Sequence, residues 1–443
     1  MSEVKSKKPV EYYREVQSLL EGHHVLFQSC LPLIASENIP SPAVREALTS
    51  DLGNRYAEGW PGERVYAGCE YIDKIELICI DLAKQLFRAE FVDVRPISGV
   101  VANLAVYSAF ANPNDLMFAL SIPCGGHISM GRQQFGGTAG SVRGLRVEYF
   151  PFDYENLTVD VDATKKKVAE LANTKDTPKL AMFGGSVLPF PHPVKELTET
   201  FNQVGAKVNY DAAHVCGLIA GGRFQDPLRE GADAMTMSTH KTLPGPQHGL
   251  IASWDRYAEQ IKRATFPGLV SNHHLHAMAG TAIALAEMLQ FGRDYAGAII
   301  RNAKALGQAM HEAGITVVGE KRGFTESHLI LADISKFGDG GTLERKLEKA
   351  GIIVNRNLLP WDIRMGRHYM NPGGVRLGVP EVTRLGMGPS EMKEIASLIA
   401  RVIVKTEPEG SVQKDVAELR RSYQKVHYCF ENATDAYQYI KIR

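Results

Sequence analysis

The sequence predicts an α/β fold in which helices cover a mostly parallel sheet. Short apolar runs of strand length alternate with longer helical patterns, as in strand–helix–strand units. At 443 residues the chain is too long for one hydrophobic core, so two domains are expected. Hydrophobic residues make up 44% and charged residues 23%, which are the proportions of an ordinary globular protein.

The elements are predicted in chain order from periodicity and turn residues. Residues 11–30 have the pattern of an N-terminal helix, whereas 36–68 are so rich in Gly, Pro, Ser and aromatics that we predict a long irregular loop. Helical patterns follow at 73–88, 100–110 and 277–314, the last interrupted at Phe291-Gly292, and strands at 116–120, 147–150, 180–183, 207–210, 232–237, 249–253, 329–333 and 351–355. These elements predict a helical arm at 1–30, a large domain at 31–290 and a smaller α+β domain at 291–443.

The charge balance and the cysteines exclude several classes of protein. Lys and Arg number 50, as do Asp and Glu, so no net field favours nucleic acid or an anionic membrane. The six cysteines form no Cys-x-x-Cys pair, which favours free thiols in a reducing compartment over a disulfide framework or a metal site. The first residues lack the apolar core of a signal peptide, and no later run has the length of a membrane span. We therefore expect a cytoplasmic protein without a metal, nucleic acid or membrane.

Lys241 has surroundings that are unusual for a lysine. It lies in the run Ser238-Thr239-His240-Lys241-Thr242-Leu243-Pro244-Gly245-Pro246, directly after the strand predicted at 232–237. An ammonium in such a secluded loop loses hydration, which favours the neutral amine, and a neutral amine can attack a carbonyl to form an imine. The alternative is a loop lysine that happens to lie near a proline, and this run alone does not decide between the two.

Asp211 and Ser98-Gly99 add two features to that lysine. Asp211 ends the strand predicted at 207–210, and ligands of open α/β sheets bind beyond the carboxyl ends of strands. Ser98-Gly99 opens the helix predicted at 100–110, where free N–H groups suit a phosphate. Each feature alone has an ordinary explanation as a helix cap. Together with Lys241 they fit pyridoxal 5′-phosphate, whose aldehyde, ring nitrogen and phosphate need an amine, a carboxylate and a helix end.

Several longer runs carry a family resemblance. They are Leu33-Ile34-Ala35-Ser36-Glu37-Asn38, Arg55-Tyr56-Ala57-Glu58-Gly59-Trp60-Pro61-Gly62, Gly125-Gly126-His127, Asp211-Ala212-Ala213-His214-Val215, Thr239-His240-Lys241-Thr242 and Gly374-Val375-Arg376-Leu377-Gly378. From about residue 31 to residue 403 the chain resembles the serine hydroxymethyltransferases, which are fold-type I pyridoxal-phosphate enzymes. The runs at 190–193 and 271–276 resemble the archaeal-type branch of that family.

The resemblance implies a role for each matching residue. Lys241 would carry the internal aldimine, Asp211 would pair with the pyridine nitrogen, and Arg376 would bind the substrate carboxylate through its two-pronged guanidinium. Glu58 would be the acid/base group near the pterin. The remaining cofactor contacts would come from Ser98, Gly99, His127, Ser186, His214, Ser238 and His240, with His127 stacked on the ring. Ser36, Tyr56 and Tyr66 would line the substrate pocket, Ile122 and Asn357 would contact the pterin, and His127, His214 and Tyr66 would assist catalysis.

The resemblance also implies a reaction and a partner. The Cα–Cβ bond of serine would break, its one-carbon unit would pass to a reduced pterin (tetrahydrofolate or a methanopterin-like relative), and glycine would remain. A homodimer is implied because the family's segment around Glu58 and Tyr66 reaches into the partner's site. Three alternatives stay open: a threonine aldolase or transaldolase, a 2-methylserine hydroxymethyltransferase, and a catalytically silent binding homologue.

Two runs depart from the commoner bacterial pattern of the family. Gln247-His248 replaces Arg-Gly, so a positive charge near the cofactor is missing. Residues 269–274 replace a glycine-rich stretch that in the family reaches the neighbour's cofactor phosphate, which leaves their contacts open. His273, His274 and His276 could suggest a metal, but with no Cys or carboxylate motif nearby we expect a subunit contact or a cofactor-edge role instead.

Overall fold

A computed structural model describes residues 7–442; residues 1–6 and 443, at the ends of the predicted arm and C-terminal domain, lie outside the described residues. Its helices are α1 Pro9–Ser29, α2 Pro42–Leu48, α3 Glu70–Phe87, α4 Gly99–Phe110, α5 Thr138–Ser141, α6 Val161–Leu171, α7 Val194–Gln203, α8 Cys216–Ala220, α9 Ala258–Thr265, α10 Leu275–Glu312, α11 Gly340–Lys349, α12 Pro380–Arg384, α13 Pro389–Ile403 and α14 Glu409–Arg421. Its strands are β1 Leu31–Pro32, β2 Gly59–Trp60, β3 Glu63–Arg64, β4 Phe91–Asp93, β5 Leu116–Ala119, β6 Arg146–Tyr149, β7 Phe152–Asp153, β8 Thr158–Val159, β9 Pro178–Gly184, β10 Lys207–Asp211, β11 Ala234–Ser238, β12 Gly249–Ser253, β13 Thr316–Val317, β14 Leu329–Asp333, β15 Ile352–Ile353, β16 Asn355–Asn357 and β17 Gly374–Gly378.

A seven-stranded sheet forms the centre of the molecule, in the order β4-β12-β11-β10-β9-β5-β6. The five strands from β11 to β6 are parallel neighbours, while β12 is antiparallel to β11 and β4. Strands β10 and β11 are almost wholly buried, as strands covered on both faces must be. This sheet confirms the predicted α/β fold. It also places the carboxyl ends of β5, β9, β10 and β11 along one edge.

A smaller antiparallel sheet, in the order β13-β14-β17-β16, follows in the second part of the chain. A parallel pair of short strands, β1 with β15, ties the start of the chain to this part. The division into domains near residue 290 stays a prediction, and residue 290 lies within α10. None of the described helices is both long and apolar enough to cross a membrane.

The interruption predicted at Phe291-Gly292 is wrong, because α10 runs without a break for 38 residues. Gly292 is buried, and its carbonyl oxygen lies only 2.4 Å from where a Cβ on Gly221 would stand. Glycine lowers helix propensity by about 1 kcal/mol relative to alanine, but packing routinely overrides so small a preference. The close approach of α10 to the turn after α8 therefore depends on glycine at 221, while Gly292 is accommodated inside the continuous helix.

Two other predictions need correction. The loop predicted at 36–68 contains helix α2, a 3₁₀ turn at Asp51–Asn54 and the β2–β3 hairpin. Ser41 caps α2, since its Oγ accepts a hydrogen bond from Val44 N at 3.3 Å, and Pro42 occupies the first helical position. The strand predicted at 351–355 is two strands, because β15 pairs with β1 whereas β16 pairs with β17.

Candidate active site

The carboxyl edge of the central sheet gathers most of the residues predicted to hold the cofactor. Asp211 is the last residue of β10 and Ser238 the last of β11, while Ser186 follows β9 by two residues. In the sheet register Asp211 pairs with Gly184 on one side and Thr236 on the other. Because β9, β10 and β11 are adjacent and parallel, the loops that follow them lie side by side.

Lys241 is held in the loop between β11 and β12. Its Nζ lies 3.2 Å from Ser238 Oγ, and its backbone carbonyl accepts a hydrogen bond from Asn38 Nδ2 at 2.5 Å. Burial lowers the pKa of Lys241, and although the charge of Asp211 opposes this, the net direction is downward. A larger neutral fraction makes the amine a better nucleophile for a carbonyl, as the sequence predicted.

Asp211 is buried but has no cationic partner among the described residues. Its Oδ2 accepts a hydrogen bond from Asn103 Nδ2 at 2.8 Å, and its Oδ1 accepts one from Ala213 N at 3.0 Å. A buried carboxylate with only neutral donors is costly unless a positive group joins it. The protonated ring nitrogen of pyridoxal phosphate is such a group, so the carboxylate fits that cofactor.

Asn103 connects Asp211 to His127 and was missed as a functional residue. Its Nδ2 also donates to Ser129 Oγ at 2.9 Å, which in turn lies 2.8 Å from His127 Nδ1, and its Oδ1 accepts from Thr236 Oγ1 at 2.6 Å. Burial lowers the pKa of His127, which favours the neutral ring. Asn103 stands alone among apolar residues in α4, and a single amide in an apolar helix was the available signal.

The start of α4 forms a narrow cradle. Ser98 is the N-cap, with its Oγ accepting from Val101 N at 3.3 Å, and α4 is 12 residues long. A Cβ on Gly99 would lie 2.3 Å from Ser238 Oγ, so only glycine leaves room there. The free N–H groups of this helix end, flanked by two serine hydroxyls, fit a phosphate group.

Arg376, on β17 of the smaller sheet, reaches the edge of the large one. Its Nη1 donates to Ser186 O at 2.9 Å and its Nε to Asn355 Oδ1 at 3.2 Å. The residue is 8% exposed and forms no salt bridge with any described carboxylate. Burial lowers its pKa to about 10, so the guanidinium keeps its charge at neutral pH. A buried cation that lacks a carboxylate suits a carboxylate brought by a ligand.

His214 and Ser36 lie beside a second histidine that the sequence did not single out. His214 Nδ1 is 3.3 Å from His328 Nε2, which lies 3.1 Å from Ala35 O, the residue before Ser36. Burial lowers the pKa of His214 well below its usual range and that of His328 to about 3. Burial likewise lowers the pKa of His240 to about 4. All three imidazoles are therefore neutral at pH 7.

Glu58, Tyr56 and Tyr66 lie on a separate segment. The two tyrosine rings are 4.8 Å apart and both are exposed, and Tyr56 Oη lies 2.9 Å from Ser271 Oγ. Within the described chain, no hydrogen bond or ion pair joins these three residues to Lys241. Within the single chain these three residues therefore have no direct polar contact with Lys241.

The two residues predicted to contact the pterin lie on different elements. Ile122 is 39% exposed in a turn after β5. Asn357 follows Asn355 by two residues on β16, so both side chains lie on the same face of that strand. Asn355 Oδ1 accepts the hydrogen bond from Arg376 Nε. Asn357 therefore lies on the same strand face as Asn355, the hydrogen-bond partner of Arg376.

The two residues that depart from the bacterial pattern, Gln247 and His248, lie in different environments. His248 is buried and its Nε2 lies 2.7 Å from Val94 O, whereas Gln247 is exposed. Burial lowers the pKa of His248 to about 3, so it does not replace the missing positive charge. Over residues 7–442, no group of three or more His, Cys, Asp or Glu side chains is arranged to hold a metal ion.

Comparisons with known proteins agree with this geometry. The profile of the serine hydroxymethyltransferase family matches residues 10–399. The chain is 59% identical to the serine hydroxymethyltransferase of Nitrosopumilus maritimus over 433 residues, which cover 98% of both chains. It is 58% identical to that of Korarchaeum cryptofilum, covering 97% of this chain and 100% of the relative. It is 48% identical to that of Archaeoglobus fulgidus, covering 97% and 95%.

Proposed function

The chain belongs to the serine hydroxymethyltransferase family, and from this premise we propose that the residues around Lys241 move the hydroxymethyl carbon of serine to a reduced pterin. Membership makes the chain a pyridoxal-phosphate-dependent transferase that interconverts serine and glycine with a folate- or pterin-type carrier. In the forward direction, serine and the reduced carrier give glycine, the methylene carrier and water. The aldolase, transaldolase and 2-methylserine alternatives are not favoured by these relatives.

The observation that supports an amino-acid substrate most directly is that the guanidinium of Arg376 forms no salt bridge with a described carboxylate. Arg376 lies against Ser186 O, at the same sheet edge as Lys241 and Asp211, without a carboxylate of its own. A guanidinium can bind both oxygens of a carboxylate, which fixes the orientation of the bound amino acid. Serine held in this way would lie beside Asp211 and Lys241, the residues that would hold the cofactor.

The cofactor site would be completed by side chains with separate tasks. Lys241 Nζ would hold the cofactor, and the N–H groups at the start of α4 would hold its phosphate. Asp211, which accepts hydrogen bonds from Asn103 and Ala213, would keep a proton on the ring nitrogen. With that proton in place, bound pyridoxal phosphate draws electrons from the bonds at the Cα of the amino acid. His127 would lie on the ring face, with its tautomer fixed through Ser129.

Glu58 would move the proton at the serine hydroxyl. Its carboxylate makes no hydrogen bond or ion pair with another described residue, so it is free to accept a proton from the substrate oxygen. Release of the one-carbon unit to the carrier needs this transfer, whereas cleavage of the Cα–Cβ bond in other 3-hydroxy amino acids depends on it less. Tyr56 and Tyr66, whose rings are in tilted contact 4.8 Å apart, would border the carrier.

A homodimer would bring the Glu58 segment into a site. Glu58, Tyr56 and Tyr66 make no polar contact with the Lys241 pocket of their own chain, which supports a role in the partner's pocket. The surface beside them is unusually apolar: Val65, Tyr71, Leu77 and Ile78 are each more than half exposed. Exposed apolar patches of this kind mark protein interfaces. The two active sites would then each be built from both subunits.

The proposed function is tested with purified protein, pyridoxal phosphate and serine labelled with ¹³C at Cβ. We expect glycine to form and the label to enter the carrier when tetrahydrofolate or tetrahydromethanopterin is present, and little glycine without a carrier. Comparing the two carriers at equal concentration identifies the one preferred. Glycine formation that is equally fast without any carrier would contradict the proposal and support an aldolase.

A further inference from the structure

The backbone on both sides of Glu58 is held by one arginine. Arg64 Nη1 donates hydrogen bonds to Ala57 O and to Gly59 O, each at 2.6 Å. These two carbonyls belong to the residues immediately before and after Glu58. A guanidinium can direct several N–H groups from one rigid plane, so it suits a contact with two neighbouring carbonyls.

Arg64 is itself anchored to a buried carboxylate. Its Nη2 lies 2.5 Å from Glu76 Oε2 and its Nε 2.7 Å from Asp73 Oδ1, and its side chain is 4% exposed. The other oxygen of Glu76 binds Arg95 Nη2 at 2.7 Å. Burial would raise the pKa of Glu76, but His273, Arg95 and Arg64 beside it lower it to about 2. Glu76 is therefore ionised at any working pH and joins both guanidiniums.

Arg95 extends the same anchor to the next residue of the segment. Its guanidinium lies 3.9 Å from the ring centre of Trp60, which is within the range of a cation–π contact. Glu76 thus fixes two arginines, and both contact the stretch from Ala57 to Trp60. The side chain of Glu58 is the one part of this stretch that faces no described polar partner.

The opposite edge of the segment is held by Asn272. Its Oδ1 accepts from Ala57 N at 3.0 Å, and its Nδ2 donates to Arg55 O at 3.1 Å. Tyr56 Oη lies 2.9 Å from Ser271 Oγ. Ser271-Asn272 belongs to the run 269–274 in which this chain departs from the glycine-rich pattern. A glycine at 272 would have no side chain to make either contact.

We propose that Arg64 and Asn272 are positioning residues for Glu58, with Glu76 as the buried anchor of Arg64. Together the two side chains make hydrogen bonds with four backbone groups: Arg55 O, Ala57 N, Ala57 O and Gly59 O. These bonds hold the backbone on both sides of Glu58 in one conformation. The Glu58 carboxylate, which lacks a polar partner of its own, is then directed by its backbone alone. The inference rests on the proposed function, since it gives Glu58 its acid/base task.

The test compares Arg64→Lys and Asn272→Ala with the wild type, in the holoenzyme. Lysine keeps the charge beside Glu76, but one ammonium cannot bind two carbonyls and two carboxylates. We expect pterin-dependent kcat to fall at least tenfold in Arg64→Lys and roughly three- to tenfold in Asn272→Ala, because Arg64 makes more contacts than Asn272. Pterin-independent cleavage of 3-phenylserine and the cofactor Kd, measured by visible absorbance, should stay close to wild type.

Arg88→Lys is the matched control, because Arg88 is a surface arginine at the end of α3 that pairs with Asp226. It should change none of these quantities. A double-mutant cycle separates positioning from loss of structure. If Arg64 acts through Glu58, adding Arg64→Lys to Glu58→Gln should lower kcat no further.

Three results would overturn the inference. The first is a wild-type pterin-dependent kcat in both Arg64→Lys and Asn272→Ala, measured while Glu58→Gln is impaired. That result would leave the proposed function standing. The second is additive losses in the double variant, and the third is an equal fall in the rates of both reactions together with a rise in the cofactor Kd. A wild type that shows no pterin-dependent transfer would instead overturn the proposed function, and this inference with it.

Discussion

At the scale of single residues, the site is defined by two buried charges that form no salt bridge within residues 7–442. Arg376 is a buried cation without a carboxylate, and Asp211 is a buried carboxylate without a cation. Each arrangement is costly in an isolated protein and becomes favourable when a ligand supplies the opposite charge. The two residues therefore point to a ligand with a carboxylate and a protonated nitrogen, which together describe an amino acid on a pyridine cofactor.

Arg376→Lys should raise the KM for serine roughly 10- to 100-fold, because a lost charge-assisted hydrogen bond costs about 1.5–3 kcal/mol. The cofactor Kd should not change, since Arg376 contacts Ser186 O and Asn355 rather than the cofactor cradle. Steady-state kinetics with varied serine measure the effect. Arg356→Lys is the control, because Arg356 on the neighbouring strand already has Glu344 at 3.4 Å. An unchanged KM in Arg376→Lys would remove its assigned role.

His192 gives a prediction about pH and stability. Its Nδ1 accepts a hydrogen bond from Gly184 N at 3.1 Å, and burial lowers its pKa to about 4. A depressed pKa in the folded state means that the stabilisation is complete above pH 6.5 and is lost as the pH falls toward 4. Between pH 7.5 and pH 5 this one group should remove about 2 kcal/mol from the free energy of unfolding, taking 6.5 as the unfolded pKa.

His192→Asn keeps an acceptor near the position of Nδ1 but cannot titrate. Urea unfolding at the two pH values should therefore show a smaller pH-dependent loss in the variant, by about 2 kcal/mol. The other buried histidines are common to both proteins and cancel in this comparison. An equal loss of stability in both proteins would contradict the assignment.

The sequence allowed prediction of the residues whose chemistry is distinctive at a recognisable position. Lys241 stood in a loop of small residues after an apolar strand, and Asp211 at the end of another, and the structure places both at one sheet edge. Asn103, His328 and Arg64 could not be assigned in this way. Their contacts come from elements far apart in the chain, and an amide, a histidine or an arginine alone has many ordinary uses.

At the scale of elements, the start of α4 is the most constrained part of the site. Gly99 lies so close to β11 that a Cβ would stand 2.3 Å from Ser238 Oγ. The helix therefore brings its N–H groups against the loop that carries Lys241. The sequence predicted this helix and its first residues, but the close approach to β11 depends on tertiary packing that no local pattern contains.

Gly99→Ala should weaken cofactor binding at least tenfold, which corresponds to about 1.4 kcal/mol, because the new methyl group displaces Ser238 and widens the cradle. Titration of the apoprotein with pyridoxal phosphate, followed by visible absorbance, measures the Kd. Gly22→Ala in α1 is the control, since a Cβ there meets nothing within 4 Å. That variant should keep the wild-type Kd. A wild-type Kd in Gly99→Ala would show that the cradle is not the phosphate site.

Elements were predicted best where the periodicity was long and strong. The interruption predicted in α10 was wrong because a glycine buried within a helix has the same local sequence signal as one that ends a helix. The segment at 36–68 was also only partly predicted. Helix α2 in that segment has seven residues, which is too short for a clear 3.6-residue period, although its Ser-Pro start was a usable signal.

At the scale of the whole molecule, one complete active site requires residues from two chains. Lys241 and Arg376 lie in one pocket, whereas Glu58 lies on a segment with exposed tyrosines and an apolar surface around it. If each site combines the two sets, variants that fail separately should complement each other when mixed. Helix α1, none of whose residues is fully buried, provides a further surface for such a contact.

Lys241→Ala and Glu58→Gln are each expected to lose pterin-dependent transfer. Refolding them together at equal amounts should restore about a quarter of the wild-type activity, because half of the dimers are mixed and each has one intact site. Mixing Lys241→Ala with Arg376→Ala serves as the control, since these residues lie in the same pocket. Either no recovery in the first mixture or equal recovery in both would contradict a shared site.

The central claim is that Lys241, at the carboxyl edge of the sheet, is the residue that holds the cofactor. The holoenzyme should show a visible absorption band that sodium borohydride bleaches. Mass spectrometry of the digested, reduced protein should then find the pyridoxyl group on the peptide that contains Lys241 and on no other. A label on another lysine, or bleaching without any labelled peptide, would contradict the account.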